Sequence, residues 1–219
     1  MNPLLAKHVQ QVIAYGLDLK EKTERGERPP VDQELQSLRG LLNGPSELKN
    51  DPEYFGLKGD ARMTTGEAPF LGARYALTCW LDEIFVLDSP LGELWDNRIL
   101  EFDLFRSRDR AEQFWEQWRK AEQRPGTDAL EVYYWCAQLG FRGKFRDNPN
   151  ELRNWIEAAK ARIVRAHRDE IKLPVDQGFV TDVPQLVGEE RFGTMVRLVA
   201  GAILFLVPVL VYLALSAMK

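Results

Sequence analysis

The end of the chain carries the strongest constraint on how it folds, an uncharged apolar run over residues 198–218 that reads LVAGAILFLVPVLVYLALSAM. A helix rises about 1.5 Å per residue, so this run is roughly 30 Å long, the thickness of a bilayer's hydrocarbon core. A buried core helix is the alternative, but such a helix is rarely apolar on every face for so long. The run predicts a transmembrane helix over residues 195–218, with Leu198, Phe205, Pro208 and Tyr212 inside the membrane.

The charges beside this run predict its orientation. Arg191 and Arg197 precede it, and positively charged residues favour the cytoplasmic side of a membrane. Because only Lys219 follows the run, the rest of the chain is expected on that same side. Together these features predict a single-pass, tail-anchored protein whose N-terminal domain lies in the cytoplasm.

Composition argues against nucleic acid as a binding partner and against a disulfide-rich fold. The formal net charge is −4 and the sequence pI is about 5.4, so no basic footprint for nucleic acid is expected. Cys79 and Cys136 are the only two cysteines, and both lie within apolar helical patterns. They are expected to fill core volume in a reducing compartment and to form no disulfide framework.

Helical periodicity dominates the chain before the apolar run. Apolar residues recur at spacings of three and four, which predicts an all-α domain over residues 1–172. The most hydrophobic stretch of this domain, residues 68–87, is the predicted central helix. Residues 46–66 predict a long connection with one short helix that starts at Asp51-Pro52. Residues 173–194 lose the period and predict a linker to the membrane helix.

Several residues signal helix ends. Asp32 is placed to cap the second helix, and Gly140 is suited to a left-handed C-terminal cap. Asn148, followed by a proline and by Glu151 three residues after the cap, predicts a helix start. The apolar residues from Leu94 to Phe102 predict one helix between the central helix and the next.

Residues with catalytic chemistry are few. His8 and His167 are far apart on polar helix faces, so both are interpreted as surface histidines. No glycine-rich phosphate loop occurs. These observations predict no cofactor, no metal and no small-molecule substrate. A membrane-anchored enzyme that uses carboxylates such as Asp82, Glu101 and Glu131 is one alternative, and a generic tail-anchored adaptor is another.

Asp82 and Glu83 interrupt the apolar central helix and have two interpretations. Adjacent helical residues point about 100° apart, so the two carboxylates cannot act on one substrate atom. In the structural interpretation, Asp82 bonds an arginine such as Arg74 or Arg142 and Glu83 is solvated. In the functional interpretation, both belong to an acidic, partly desolvated patch that recognises a cationic partner. Residue type alone favours the structural interpretation.

Two segments resemble the signature blocks of a known family. These are ARYALTCWLDEIFVL over residues 73–87 and LEVYYWCAQLGFRGKFR over residues 130–146. They resemble the DotU family, also called IcmH or TssL, of type VI and type IVB secretion systems. Tyr75 and the Leu-Asp-Glu that ends at Glu83 match the first block. The second block matches except at Phe145, where a tyrosine is usual.

The resemblance implies a structural, non-enzymatic role in a type VI secretion membrane complex, with a type IVB stabilising subunit as the alternative. It implies a cytoplasmic domain of two small helical bundles in the bacterial inner membrane, self-association, an IcmF/TssM-type partner and contacts with baseplate components. Asp82 and Glu83 match family positions at a cytoplasmic cleft, which favours the acidic-patch interpretation. Arg142, Lys144 and Arg146 are the next candidates for partner binding. Charge reversal at Asp82 and Glu83 is expected to leave helical content and membrane insertion intact and to weaken baseplate recruitment.

Overall fold

The computed structural model describes residues 1–56 and 69–168, all of which belong to one compact unit. These residues contain α-helices and short 3-10 turns and no strand, which confirms the all-α prediction for them. The helices are α1 (Pro3–Glu24), α2 (Val31–Leu42), α3 (Pro52–Phe55), α4 (Gly72–Leu87), α5 (Gly92–Asp96), α6 (Leu100–Phe105), α7 (Arg110–Glu122), α8 (Asp128–Gln138) and α9 (Pro149–Arg168).

Helix α4 is the centre of this unit, as its hydrophobicity predicts. All of its residues from Tyr75 to Phe85 are buried, and it packs against α1, α2, α3, α5, α6, α7 and α8. A helix that is apolar on every face must be covered on every face, which explains why so many elements surround it. One continuous apolar core results, so the two bundles that the resemblance implies are not separated by a break in it.

Aromatic side chains fill the core between α7, α8 and the chain after α8. The Phe114 and Phe141 rings stack with centroids 3.9 Å apart, and Trp115 and Trp118 are fully buried beside them. Trp155 of α9 meets Trp115 edge to face at 5.5 Å. This cluster joins α9 and the segment after α8 to the core.

Local capping signals predict three helix ends correctly. The Asn148 carboxamide oxygen accepts from the N–H of Glu151 at 3.3 Å and begins α9. The Asp51 carboxylate accepts from the N–H of Glu53 at 2.8 Å and begins α3. At the end of α8, Gly140 has a φ of +117°. The Phe141 N–H donates to the Cys136 carbonyl at 3.0 Å, and the Gly140 N–H donates to the Ala137 carbonyl at 3.3 Å. That pattern is a Schellman C-cap.

Two sequence predictions about helix ends are wrong. Asp32 does not cap α2, which begins at Val31, because Asp32 already lies in the first turn, where a carboxylate favours the helix dipole. The predicted single helix between α4 and α7 is two helices, α5 and α6, with a break over residues 97–99. A buried carboxylate from α4 supplies the physical reason for this break.

Candidate partner-binding site

Asp82 and Glu83 lie in the last two turns of α4, and both are buried. Their residues are 0% and 3% exposed, respectively. Since consecutive helical residues point about 100° apart, the two carboxylates enter different surroundings. Each accepts hydrogen bonds from a separate segment that follows later in the chain.

The Asp82 carboxylate holds the start of α6. Its Oδ1 accepts from the Trp95 indole N–H at 2.9 Å and from the Leu100 N–H at 2.9 Å, and its Oδ2 accepts from the Glu101 N–H at 2.7 Å. The first N–H groups of a helix have no partner within the helix. Asp82 supplies that partner from α4, so a new helix begins at Leu100 after the break.

Burial raises the pKa of Asp82 to about 6, well above its ordinary 3.8. The cause is the loss of water around the charged carboxylate, and the N–H donors of Glu101, Trp95 and Leu100 oppose it because they favour the ionised form. Asp82 is therefore mainly ionised at pH 7 and gains a proton within the mildly acidic range.

The Glu83 carboxylate holds residues 140–146, which we call the 140–146 loop. Its Oε1 accepts from the backbone N–H of Arg142 at 2.8 Å and of Gly143 at 3.1 Å, and from the Arg146 guanidinium at 3.3 Å. Its Oε2 lies 3.2 Å from the same Gly143 nitrogen. One buried carboxylate thus fixes both the backbone of the loop and one of its cations.

Close packing makes glycine necessary at position 143. Its φ is +51°, in the left-handed region, and a Cβ there would lie 2.6 Å from the Ala111 carbonyl oxygen of α7. A Cβ would also meet the Trp115 indole at 3.0 Å. The loop is therefore held from two sides, by Glu83 of α4 and by the surface of α7.

The three cations of the loop have different roles. The Arg142 guanidinium donates to the Ala137 carbonyl at 2.8 Å and to the Phe141 carbonyl at 3.0 Å. Its positive charge lies at the carbonyl end of α8 and favours the helix dipole there. Lys144 is exposed and donates to Glu112 at 2.8 Å. The Arg146 side chain is 46% exposed beside its buried partner, Glu83. Lys144 and Arg146 are the cations that solvent reaches most easily.

The structure revises the local interpretation of the acidic pair. Asp82 does not bond Arg74 or Arg142, and Glu83 is not solvated, because three N–H donors surround each carboxylate. Arg74 instead donates to the Asn43 side chain at 2.8 Å. Charge reversal at either carboxylate would bury a lysine against N–H groups, so helical content is not expected to survive it. Whether the pair contributes to partner binding stays a prediction.

The carboxylates proposed for an enzyme are each bonded to other groups, and Glu101 adjoins Asp82, to whose carboxylate its N–H donates at 2.7 Å. Glu101 is fully buried and accepts from the Tyr75 hydroxyl at 2.9 Å and from two N–H groups at the start of α7. Glu131 accepts from the hydroxyl of Thr127, the residue before α8, at 2.9 Å. No group of three or more potential ligands is placed to hold a metal ion in residues 1–56 and 69–168. Each of these carboxylates already has a partner within its own chain.

Sequence reasoning missed two buried polar residues. Gln117 accepts from the Leu71 N–H at 2.8 Å and donates to the Pro69 carbonyl at 3.1 Å, which fixes the entry to α4. Its place between Phe114 and Ala121 on the apolar face of α7 was an available signal. His8 is not a surface residue but 5% exposed, with Nε2 2.9 Å from the Tyr54 hydroxyl, and burial lowers its pKa. Its spacing of three from Leu5 and of four from Val12 places it on the apolar face of α1, which was the same kind of signal.

The predicted membrane helix lies outside the described residues, and so do Leu198, Phe205, Pro208 and Tyr212. Within residues 1–56 and 69–168, no helix combines the length and hydrophobicity needed to cross a bilayer. The division into a domain over residues 1–172, a linker over 173–194 and a membrane segment over 195–218 stays a prediction.

Comparison with known proteins identifies the family. A family model for the type VI secretion system protein DotU matches residues 62–218. This range contains both sequence blocks and extends over well more than half of the chain, and the chain belongs to the DotU family of type VI secretion system proteins. No curated protein and no solved structure matches it. The match confirms the resemblance that the two blocks indicate.

Proposed function

We propose that this protein is a structural, non-enzymatic subunit of a type VI secretion membrane complex. It is tail-anchored in the bacterial inner membrane by residues 195–218, and its helical domain lies in the cytoplasm. There it self-associates and links an IcmF/TssM-type membrane protein to baseplate components. Membership of the DotU family supports the system, and the apolar run supports the membrane attachment.

The 140–146 loop is the part of the domain that we propose for partner binding. Lys144 and Arg146 supply exposed positive charge, and Arg142 joins the loop to the end of α8. Glu83 contributes as a positioning residue, because it is buried and bonded to the loop, whereas the buried Asp82 holds the start of α6. The observation that carries this proposal is the set of Glu83 bonds, which present the loop in one conformation. A preformed loop loses little entropy when a partner binds.

Co-purification from detergent-solubilised membranes tests this function. We expect mass spectrometry of the captured complex to find an IcmF-like protein and baseplate components. The variant Lys144→Gln with Arg146→Gln should lose at least part of this set while remaining folded, since both side chains reach solvent and glutamine places no second carboxylate beside Glu83. Arg153→Gln with Lys160→Gln on α9 is a matched control, because both residues are exposed cations outside the loop. Equal recovery with both variants would contradict the role of the loop, and failure to recover any secretion protein would contradict the function.

Membrane attachment is tested separately by deletion of residues 198–219. We expect the shortened chain to leave the membrane fraction, to keep the helical circular dichroism of the domain, and to be inactive in secretion. A shortened chain that still sediments with membranes would contradict the tail anchor. A shortened chain that fails to fold would show that the deleted residues also stabilise the domain.

A further inference from the structure

Helix α6 and the turn after it carry an exposed aromatic ring between two arginines. Phe102 is 43% exposed. The guanidinium carbons of Arg106 and Arg108 lie 5.6 and 5.5 Å from the centre of its ring. Both distances fall within the range of cation–π attraction. We call these three residues the Phe102 surface.

The two arginines of the Phe102 surface form no ion pair within the part of the chain that the structure describes. Two other arginines near α6 are paired with carboxylates, Arg39 with Asp103 and Arg98 with Asp32. Neither Arg106 nor Arg108 has a carboxylate within ion-pair distance among residues 1–56 and 69–168. A guanidinium beside a ring still carries several N–H groups, and their planar arrangement matches a carboxylate.

The turn that carries the two arginines is held rigidly. The buried Glu101 carboxylate accepts from the N–H groups of Asp109 and Arg110 at 3.1 and 3.2 Å. The Ser107 hydroxyl donates to the Gln113 side chain at 3.0 Å. Arg106 itself ends α6 in the left-handed conformation, with a φ of 59°, which residues with side chains rarely adopt. Such outliers persist where the surrounding structure imposes them and are concentrated at functional positions.

We propose that the Phe102 surface binds an acidic segment of a protein partner. Arginine is among the residues that dominate binding energy in protein interfaces, and phenylalanine is enriched in them. The two guanidinium groups would pair with carboxylates, and the exposed ring would cover an apolar side chain between them. Nucleic acid fits less well, because its affinity comes largely from neutralised phosphates and the chain's net charge is −4. An anionic membrane is recognised by clusters of about four to eight basic residues, which this surface lacks.

This inference does not depend on the proposed function, because it uses other residues and a simple binding measurement. The probe is a fluorescein-labelled oligoglutamate peptide that contains one phenylalanine, titrated with the full chain in a zwitterionic detergent. We expect fluorescence anisotropy to show binding that weakens as salt is added. Arg106→Gln with Arg108→Gln should weaken binding at least about tenfold, equivalent to about 1.4 kcal/mol.

The matched control is Arg119→Gln, which removes a guanidinium stacked 5.2 Å from the Trp155 ring centre on another part of the molecule. It should leave the affinity for the peptide unchanged. Arg106→Gly provides a second test that does not endanger folding, because glycine adopts a positive φ without strain. It should also weaken binding. Unchanged affinity in both Arg106 variants would overturn the proposal, and so would tighter binding to duplex DNA or phosphatidylserine vesicles that depends on the same arginines.

Discussion

Asp82 and Glu83 are neighbours in α4, yet they organise two regions of different depth. The Asp82 region is the start of α6, where every donor to the carboxylate is itself buried. The Glu83 region is the 140–146 loop, where the partly buried backbone donors of Arg142 and Gly143 are joined by the half-exposed Arg146. The same chemistry, a carboxylate that binds N–H groups, therefore serves the core on one side of α4 and the surface on the other.

The difference teaches how a buried acidic group can hold a surface loop in place without itself being exposed. A hydrogen bond to a buried charge is strong, because few other partners compete for it. Asp82 uses that strength to begin a helix inside the domain. Glu83 uses it to fix a surface loop whose cations remain accessible. Substitutions at the two positions should consequently differ in how much stability they remove and in which part of the domain they affect.

The largest effect is expected for Asp82→Ala. This change leaves three buried N–H donors without a partner and creates a small cavity at the start of α6. We expect the free energy of unfolding to fall by roughly 3–5 kcal/mol, with the loss spread over α5, α6 and α7. Urea unfolding followed by circular dichroism measures it. A loss below about 1 kcal/mol would mean that Asp82 does not hold α6.

A pH dependence of similar size is expected from Asp82 alone. Its pKa is about 6 in the folded protein and near 3.8 in the unfolded chain, so the folded protein binds this proton more tightly between those pH values. The contribution of Asp82 to the free energy of unfolding is therefore largest below pH 4 and decreases as the pH rises to 6. The total change is about 3 kcal/mol.

Asp82→Asn isolates this titration from those of other groups, since asparagine keeps the shape and does not ionise. Between pH 4 and pH 7, the wild type should lose free energy of unfolding relative to the Asp82→Asn variant. The comparison uses unfolding curves of both proteins at each pH. Parallel pH profiles for the two proteins would show that burial does not raise the pKa of Asp82.

A smaller effect is expected for Gly143→Ala, which tests how tightly the 140–146 loop lies on α7. The added methyl group would contact the Ala111 carbonyl and would strain a positive φ. We expect a loss of roughly 2 kcal/mol in the free energy of unfolding. Gly126→Ala is the matched control, because a Cβ there has open space and no positive φ, and its effect should be near zero. Equal effects at the two glycines would refute the close packing of the loop.

The smallest effect on stability is expected for Glu83→Gln. Glutamine still accepts from the N–H groups of Arg142 and Gly143 but loses its charge toward Arg146. We expect a loss of roughly 1 kcal/mol in the free energy of unfolding, together with weaker capture of secretion partners. If Glu83→Gln were as unstable as Asp82→Ala, the two carboxylates would not differ in their importance for the core of the domain.

Local sequence signals predict much of this fold and little of the site. The starts of α3 and α9 and the end of α8 follow from caps that lie within a few residues of each helix end. The central position of α4 follows from its hydrophobicity. The partners of Glu83 lie about sixty residues later in the chain, and those of Asp82 belong to a helix whose start Asp82 itself creates. Such pairings arise when distant segments pack together, and the spacing of residues within one helix does not predict them.

Amide hydrogen exchange tests most directly whether Glu83 holds the 140–146 loop. The measurement compares the wild type with Glu83→Ala and follows peptides over residues 140–146 and 99–106. We predict that exchange accelerates at least about tenfold in the loop, because the Arg142 and Gly143 amides lose their acceptor, and stays unchanged over residues 99–106, where Asp82 is intact. Unchanged exchange in the loop, or equal acceleration in both peptides, would contradict the account.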